Sequence, residues 1–118
     1  MAFIYGNYRN SEVVLTNLNI TNVNDAIPKV ALTFDDGPSS VYTKILLDGL
    51  KERKVKATFF LVGENVENNK KLTKRISKEG HLIGNHTYSH ADLARTNYNK
   101  ASVEINKTNE IITSITGT

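Results

Sequence analysis

Two short clusters of side chains in this sequence could carry out chemistry. The first is the carboxylate pair Asp35-Asp36, and the second is the segment from His86 to His90, which reads His-Thr-Tyr-Ser-His. Two histidines at this spacing can turn their rings to one side of a helix or a tight turn and share a metal ion. With one carboxylate added, the set becomes a His-His-Asp site with open positions for water and substrate, which zinc accepts readily.

Each cluster also has a simpler interpretation. An isolated pair of histidines is more often hydrogen-bonded or on the surface than bound to a metal. The segment Asp35-Asp36-Gly37-Pro38 is an ordinary turn sequence. Adjacent side chains diverge, however, so one aspartate could bind a metal while the other faces an attacking water as general base. The residues alone leave these alternatives open.

The elements that would position the clusters follow a repeating strand–helix order. Three short apolar runs, at residues 30–34, 56–62 and 81–84, are typical of buried strands. Because these strands lack polar alternation and a helix follows each, they predict a parallel sheet covered by helices. Both clusters come directly after a strand, and active sites of parallel α/β folds collect at the carboxyl ends of the strands.

Apolar residues at helical spacing predict the core-facing sides of three helices. They are Tyr42, Ile45, Leu46 and Leu50 in the first helix, Leu72 and Ile76 in the second, and Ala101, Ile105, Ile112 and Ile115 in the third. We expect Ser39 or Ser40 to cap the first helix, and Gly80 and Gly117 to end the second and third.

Length and composition indicate one globular domain. The chain has 118 residues, of which 39% are hydrophobic and 23% are charged, enough for one core but not for two. Residues 1–27 are rich in Asn, Thr and Ser and predict an irregular leader with one short strand. Residues 28–118 carry the strand–helix units.

Cysteine usage and charge narrow the classes of ligand and partner. There is no cysteine, so any metal must be held by His, Asp, Glu or water. The formal net charge is +3, and the basic groups at 51–56 and 70–78 are typical of solvated helix faces rather than of a nucleic-acid site. No segment approaches transmembrane length, and the opening residues lack a signal-peptide pattern, which leaves localisation open.

Four segments together resemble the polysaccharide deacetylase family, the NodB-homology carbohydrate esterases. Residues 33–39 (TFDDGPS) are similar to its first signature and residues 86–90 (HTYSH) to its second, while residues 57–63 and 80–85 are similar to connecting segments. They occur in the family's order at plausible spacing, from about Val30 to the end of the chain.

The resemblance implies residue roles and a reaction. Asp35 matches the catalytic base, and Asp36, His86 and His90 match three metal ligands, usually for zinc, with cobalt, nickel or manganese as alternatives. The implied reaction is hydrolysis of the acetamide of N-acetylglucosamine-type sugars, in peptidoglycan or chitin-like polymers. Some family members instead remove O-acetyl groups from xylan. Members are often secreted or associated with the cell wall.

The resemblance also implies a barrel fold, of which this chain would form only a part. It predicts an α/β fold, a partial (truncated) parallel (β/α) barrel of about three strand–helix units. The family's oxyanion-hole and general-acid segments have no match up to Thr118. An incomplete barrel exposes a strand edge, so we expect self-association into a homo-oligomer. The alternative function is a catalytically inert chain that binds metal without turnover. A generic α/β domain with accidental motifs ranks below both.

Neighbouring polar and aromatic residues receive structural interpretations. We expect His81 to be structural, and Phe59 and Phe60 to belong to the core or the barrel lining. Thr87 and Ser89 are expected to support the histidine loop. The sequence does not decide whether Tyr88, which lies between the two histidines, contacts the substrate.

Overall fold

The computed structural model of the chain describes residues 2–3, 7–9, 12–14 and 30–117. Its elements, in chain order, are β1 (Ala2–Phe3), β2 (Asn7–Arg9), β3 (Glu12–Val14), β4 (Thr33–Gly37), α1 (Tyr42–Glu52), β5 (Thr58–Leu61), α2 (Gly63–Asn68), α3 (Lys70–Lys78), β6 (Leu82–Asn85), a 3₁₀ helix (Leu93–Arg95) and α4 (Tyr98–Thr116). Apart from β1, β2 and β3, the leader predicted over residues 1–27 lies outside the described residues. No helix in the described part of the chain is long and apolar enough to cross a membrane.

β4, β5 and β6 form a parallel sheet, as the strand–helix order predicts. Phe59 at the centre pairs with Phe34 on one side and with Ile83 on the other. Each strand is followed by helix, so the predicted α/β fold of three strand–helix units is confirmed. β1 adds an antiparallel strand beside β4, while β2 and β3 pair with each other in a separate two-stranded sheet.

The hydrophobic core lies between one face of this sheet and the helices. The rings of Phe34 and Phe59 meet there at 5.3 Å between centroids. The buried members of the core are Leu47, Leu50, Ala57, Phe59, Leu61, Val66, Ile76 and Ile112. Each fully buried Leu, Ile, Val or Phe stabilises the fold by about 1.5–3 kcal/mol. Phe59 therefore belongs to the core, as predicted.

The buried face of α1 differs from the predicted one. Tyr42 and Ile45 are largely exposed. The buried residues of α1 are Thr43, Leu47 and Leu50. Thr43 is accommodated because its Oγ1 accepts a hydrogen bond from the Ser39 N–H at 2.8 Å, while Ser39 Oγ accepts one from the Tyr42 N–H at 3.2 Å. The N-cap residue is Val41, which makes no side-chain cap, instead of the predicted Ser39 or Ser40, although Ser39 satisfies the first N–H of the helix from two residues before Val41.

The second predicted helix is divided in two at Asn69, between α2 and α3. Ile76 of α3 is fully buried, as predicted. Gly80 ends α3 in the left-handed conformation, with φ of 77°, and the N–H of His81 then reaches back to the Ile76 carbonyl at 3.2 Å. Gly117 has φ of 83° at the end of α4, so both predicted helix ends are confirmed.

Candidate metal centre

The two aspartates lie within the carboxyl end of β4 rather than in a turn after it. The strand predicted over residues 30–34 occupies Thr33–Gly37 instead. The pairing of β4 with β5 shifts register between Phe34 and Gly37, and Asp36 in this interval has φ of 66°. Such an irregularity re-aims a side chain out of the regular strand alternation. It therefore allows Asp36 to face the end of the neighbouring strands.

Two asparagines of the α2 region stabilise this unusual strand end. Asn65 Nδ2 donates to the carbonyl oxygen of Asp36 at 2.9 Å, and Asn69 Nδ2 donates to that of Pro38 at 3.2 Å. A left-handed conformation costs a non-glycine residue about 1–2 kcal/mol, so it persists where surrounding contacts hold it. The asparagines provide such contacts on the backbone of Asp36 and of the turn after it.

The two histidines belong to a tight loop that follows β6. The N–H of His86 donates to the Leu61 carbonyl at 3.0 Å, which extends the β5–β6 pairing by one hydrogen bond. Thr87 and His90 then adopt left-handed conformations, with φ of 62° and 59°. Asn85 Oδ1 accepts the Thr87 N–H at 2.8 Å. The loop is therefore irregular rather than helical, and both histidines belong to it.

The bulge and the loop bring Asp36, His86 and His90 together. Asp36 Oδ1 lies 3.2 Å from Nε2 of His86 and 3.1 Å from Nε2 of His90. The two imidazole rings lie 4.9 Å apart between centroids. One ligand atom from each residue falls within 4.8 Å of the others. The three side chains are 55%, 31% and 61% exposed, so the site is open to solvent.

The chemistry of this donor set fits a divalent transition metal. Zinc bonds of about 2.0–2.2 Å in tetrahedral geometry place adjacent ligand atoms about 3.3 Å apart. The distances of 3.2 and 3.1 Å from Asp36 Oδ1 to the two histidine nitrogens are close to this value. Similar distances also suit N–H···O hydrogen bonds. The convergence of two imidazoles and a carboxylate on one point is therefore the stronger observation. Imidazole donors favour zinc, copper, iron or nickel over magnesium and calcium.

Asp35 lies beside this group without contributing a ligand atom to it. Its side chain is half-buried and lines a cleft of about 320 Å³ at the end of β4. The other lining residues are Phe34, Asp36, Gly37, Ser39, Tyr42, Thr43, Leu46 and Phe59. Both aspartates therefore line the cleft, but only Asp36 contributes a ligand atom to the group with His86 and His90.

His81, the third histidine, is structural, as predicted. It is 7% exposed, and its Nδ1 accepts a hydrogen bond from the Ala57 N–H at 3.2 Å. Its ring meets Phe59 edge-on at 5.3 Å between centroids. Burial, and then the positive charge of Lys56, lower the pKa of His81 below its ordinary value.

Tyr88, for which a substrate contact stayed open, makes intramolecular contacts. Its hydroxyl donates to Glu67 Oε2 at 2.8 Å, and the ammonium group of Lys107 lies over its ring at 3.3 Å from the centroid. The side chain thus ties the histidine loop to α2 and α4. Ser89 supports the loop, as predicted, because its Oγ donates to Glu104 Oε1 at 2.9 Å.

Sequence reasoning missed three residues that position the site, namely Asn65, Asn85 and Glu104. Asn85 bonds the loop and also donates from Nδ2 to α4. The sequence carried no signal for Glu104, because the apolar pattern of this helix placed Ile105 rather than Glu104 on the inward side. For Asn65 there was no signal either.

Comparison with known proteins agrees with the motifs. The family model described as polysaccharide deacetylase matches residues 22–118. A peptidoglycan-N-acetylglucosamine deacetylase from Bacillus cereus is 54% identical over 89 residues, covering 75% of this chain and 32% of that protein. The chain therefore spans about a third of the length of this relative.

Solved structures show the same fold. The peptidoglycan deacetylase PdaC from Bacillus subtilis superposes with a TM-score of 0.71 at 43% identity, over 73% of this chain and 43% of that one. A family 4 acetyl xylan esterase from Clostridium thermocellum, in complex with a cobalt ion, gives a TM-score of 0.70 at 39% identity. The match covers 73% of this chain and 42% of that one. Motifs, fold and family match agree: the chain belongs to the polysaccharide deacetylase family.

Proposed function

We propose that this chain provides the metal-binding part of a metal-dependent deacetylase, which hydrolyses the acetamide of N-acetylglucosamine-type sugars in peptidoglycan or chitin-like polymers. The observation that carries the proposal is the convergence of Asp36, His86 and His90 at the carboxyl end of the sheet. The activity named for the Bacillus cereus relative supports the substrate class. The acetyl xylan esterase among the structural neighbours keeps O-deacetylation as the alternative bond type.

The residues of this chain would divide the work as follows. Asp36, His86 and His90 hold the ion, for which zinc is the first candidate and cobalt, nickel or manganese are alternatives. When bound, a divalent ion supplies Lewis acidity, which makes water more acidic and polarises an acyl oxygen. Asp35 takes a proton from the attacking water as general base, because it lies next to the ligand Asp36 but outside the ligand set.

The open surroundings of the site favour a second candidate, in which the chain binds metal but does not turn over substrate. His90 and Asp36 are more than half exposed, so residues 30–117 do not shield the site from water. Catalysis gains from exclusion of water and from preorganised donors for the oxyanion. On this second candidate, the described residues hold the ion but do not supply these groups.

Self-association belongs to the same proposal. β6 is the last strand of the sheet and has one hydrogen-bonded neighbour, β5, among the described strands. On the face of the sheet away from the helices, Leu82 is 69% exposed and Phe60 is half-buried. An open strand edge beside apolar side chains favours pairing with another chain. Sedimentation equilibrium tests this: a homo-oligomer is expected, and a well-folded monomer would contradict it.

Acetate release tests the proposed reaction. The zinc-loaded chain would be incubated with an N-acetylglucosamine oligomer and with acetylated xylan, beside the His86→Ala variant as control. Zinc-dependent acetate from the first substrate supports the deacetylase. Zinc binding without acetate from either substrate supports the second candidate. Failure of the chain to bind zinc would reject both.

A further inference from the structure

The loop that carries His90 is held by one carboxylate from α4. Glu104 Oε2 accepts the backbone N–H groups of Tyr88 at 2.8 Å and of Ser89 at 2.7 Å. Glu104 Oε1 accepts the Ser89 hydroxyl at 2.9 Å. The hydrogen bond from the Ser89 N–H is the main cause that holds the pKa of the Glu104 carboxyl below its ordinary value. Glu104 is therefore ionised at neutral pH while it accepts these bonds.

The conformation of this loop needs support from outside. Thr87 and His90, at its two ends, are left-handed non-glycine residues. A left-handed conformation is unfavourable for a residue other than glycine, so both residues destabilise the loop by themselves. A hydrogen bond to a charged acceptor is stronger than one between neutral groups, although solvent weakens it. The three bonds to Glu104 therefore act against this strain.

On the opposite side of the loop, backbone hydrogen bonds to α2 add to the contact between the Tyr88 hydroxyl and Glu67. The N–H groups of Gly63 and Glu64, at the start of α2, donate to the carbonyls of Thr87 and Tyr88 at 2.9 and 3.0 Å. The loop thus lies between α2, which binds its carbonyls, and Glu104, which binds its amides. Of these supports, the Glu104 carboxylate is the one that binds the amides of Tyr88 and Ser89, and a substitution of Glu104 removes it.

We infer that Glu104 is a positioning residue of the metal centre: by fixing the Tyr88 and Ser89 amides, it sets the direction in which His90 faces Asp36 and His86. This inference rests on the proposed function, in which these three residues bind the metal. Glu104 touches neither the metal nor the substrate in this role. Its effect reaches the site through the backbone immediately before His90.

Zinc affinity measured by competition titration tests the inference, with three variants. Loss of an outer partner of a metal ligand typically weakens affinity about 10–100-fold, and we expect Glu104→Ala to fall in that range. Glu104→Gln should lose less, because its amide oxygen can still accept one or two of the bonds. The matched control is Glu110→Gln on the exposed side of the same helix, which should stay within about twofold of the wild type.

Two further measurements distinguish a positioning role of Glu104 from a general destabilisation of the fold. In the metal-free chain, amide exchange at Tyr88 and Ser89 should accelerate in Glu104→Ala, while the amides of the central strand β5 stay protected. In the cobalt-loaded chain, the visible absorption bands should shift in Glu104→Ala but not in Glu110→Gln. If Glu104→Ala has the same zinc affinity and exchange rates as Glu110→Gln, the positioning role of Glu104 is wrong, while the proposed function is unaffected. A wild-type chain that binds no zinc would overturn the proposed function and, with it, this inference.

Discussion

Asp36 Oδ1 lies 3.1 Å from Nε2 of His90, although Asp36 belongs to β4 and His90 to the loop that follows β6. The contact depends on two departures from regular backbone: the register shift at the end of β4, and the left-handed His90 at the end of the loop after β6. Each departure is held by side chains from helices, Asn65 for the first and Glu104 for the second. The site is therefore assembled by the helices as much as by the strands.

The two aspartates should behave differently when substituted. Asp36→Ala and His86→Ala each remove a ligand, so zinc affinity should fall by more than the roughly 10–100-fold typical for loss of an outer partner. Asp35→Asn should largely spare zinc binding, and should lower any acetate release by about 10²–10⁴-fold, the usual contribution of a general base. Zinc titration of the three variants checks this. Equal loss of affinity in all three would reject the division of roles.

Gly63→Ala should destabilise the chain, although alanine is normally the better helix former. A Cβ at Gly63 would lie 2.6 Å from Tyr88 Cδ2, 3.0 Å from Tyr88 Cα and 2.8 Å from Thr108 Oγ1. Overpacking of this kind costs about 1–3 kcal/mol. Gly49→Ala in α1 is the matched control, because the nearest atom there is the end of the flexible Arg53 side chain at 3.4 Å.

Urea unfolding compares these two glycine variants. Gly49→Ala should raise the free energy of unfolding by up to about 1 kcal/mol, the usual gain in a helix interior. Gly63→Ala should lower it and should also weaken zinc binding, since α2 and the histidine loop are forced apart. A gain in stability from Gly63→Ala would show that the loop does not lie against α2 as described.

Asn85→Ala should loosen the histidine loop. The side chain accepts from Thr87 N–H at 2.8 Å and donates to Ile105 O and Asn109 Oδ1, both at 2.8 Å. Loss of these bonds should lower the free energy of unfolding by about 1–3 kcal/mol. Asn109→Ala removes only one of them and should cost clearly less. Urea denaturation of both variants checks the order, and equal effects would assign no special role to Asn85.

Stability should fall on acidification through His81. Because burial lowers its pKa in the folded state, the unfolded chain binds a proton more readily. The contribution of His81 is therefore complete above its ordinary pKa of 6.5 and is lost progressively as the pH falls below it. Lys56 and Arg75 reinforce the lowered pKa, while Glu79 opposes it.

A titration of the histidine rings by NMR checks this prediction directly. His81 should titrate below 6.5, and His81→Gln should lose less stability than the wild type between pH 7.5 and pH 5. The variant keeps an oxygen that can accept the Ala57 N–H but has no proton to gain. A His81 ring that titrates at or above 6.5 would contradict the structural account of its burial.

The sequence predicted the order of the fold well because its signals there are local. Apolar runs ending in Gly or polar turns gave the three strands, and Gly80 and Gly117 gave the helix ends. The segments TFDDGPS and HTYSH, through their resemblance to the family's signatures, indicated Asp36, His86 and His90 as metal ligands. Their convergence was not predictable from spacing alone, because it depends on the register shift in β4 and on left-handed residues in the loop.

The buried faces of the helices were less predictable because polar residues occupy part of them. Thr43, Thr73 and Thr108 are buried, and each satisfies its hydroxyl on nearby backbone. Because the prediction counted only apolar residues, it placed Tyr42 and Ile105 on the buried faces, although both are exposed. These local hydrogen bonds, which a hydrophobic pattern does not record, allow threonines to occupy part of the buried faces.

X-ray absorption spectroscopy of the zinc-loaded chain tests the central claim most directly. The account predicts one zinc per chain, with two imidazole nitrogens and at least one oxygen in its coordination shell at about 2.0–2.2 Å. The spectrum of His90→Ala should show one imidazole fewer, or no bound zinc. A wild-type chain that binds no zinc, or that binds it without imidazole ligands, would contradict the assignment of Asp36, His86 and His90 as a metal centre.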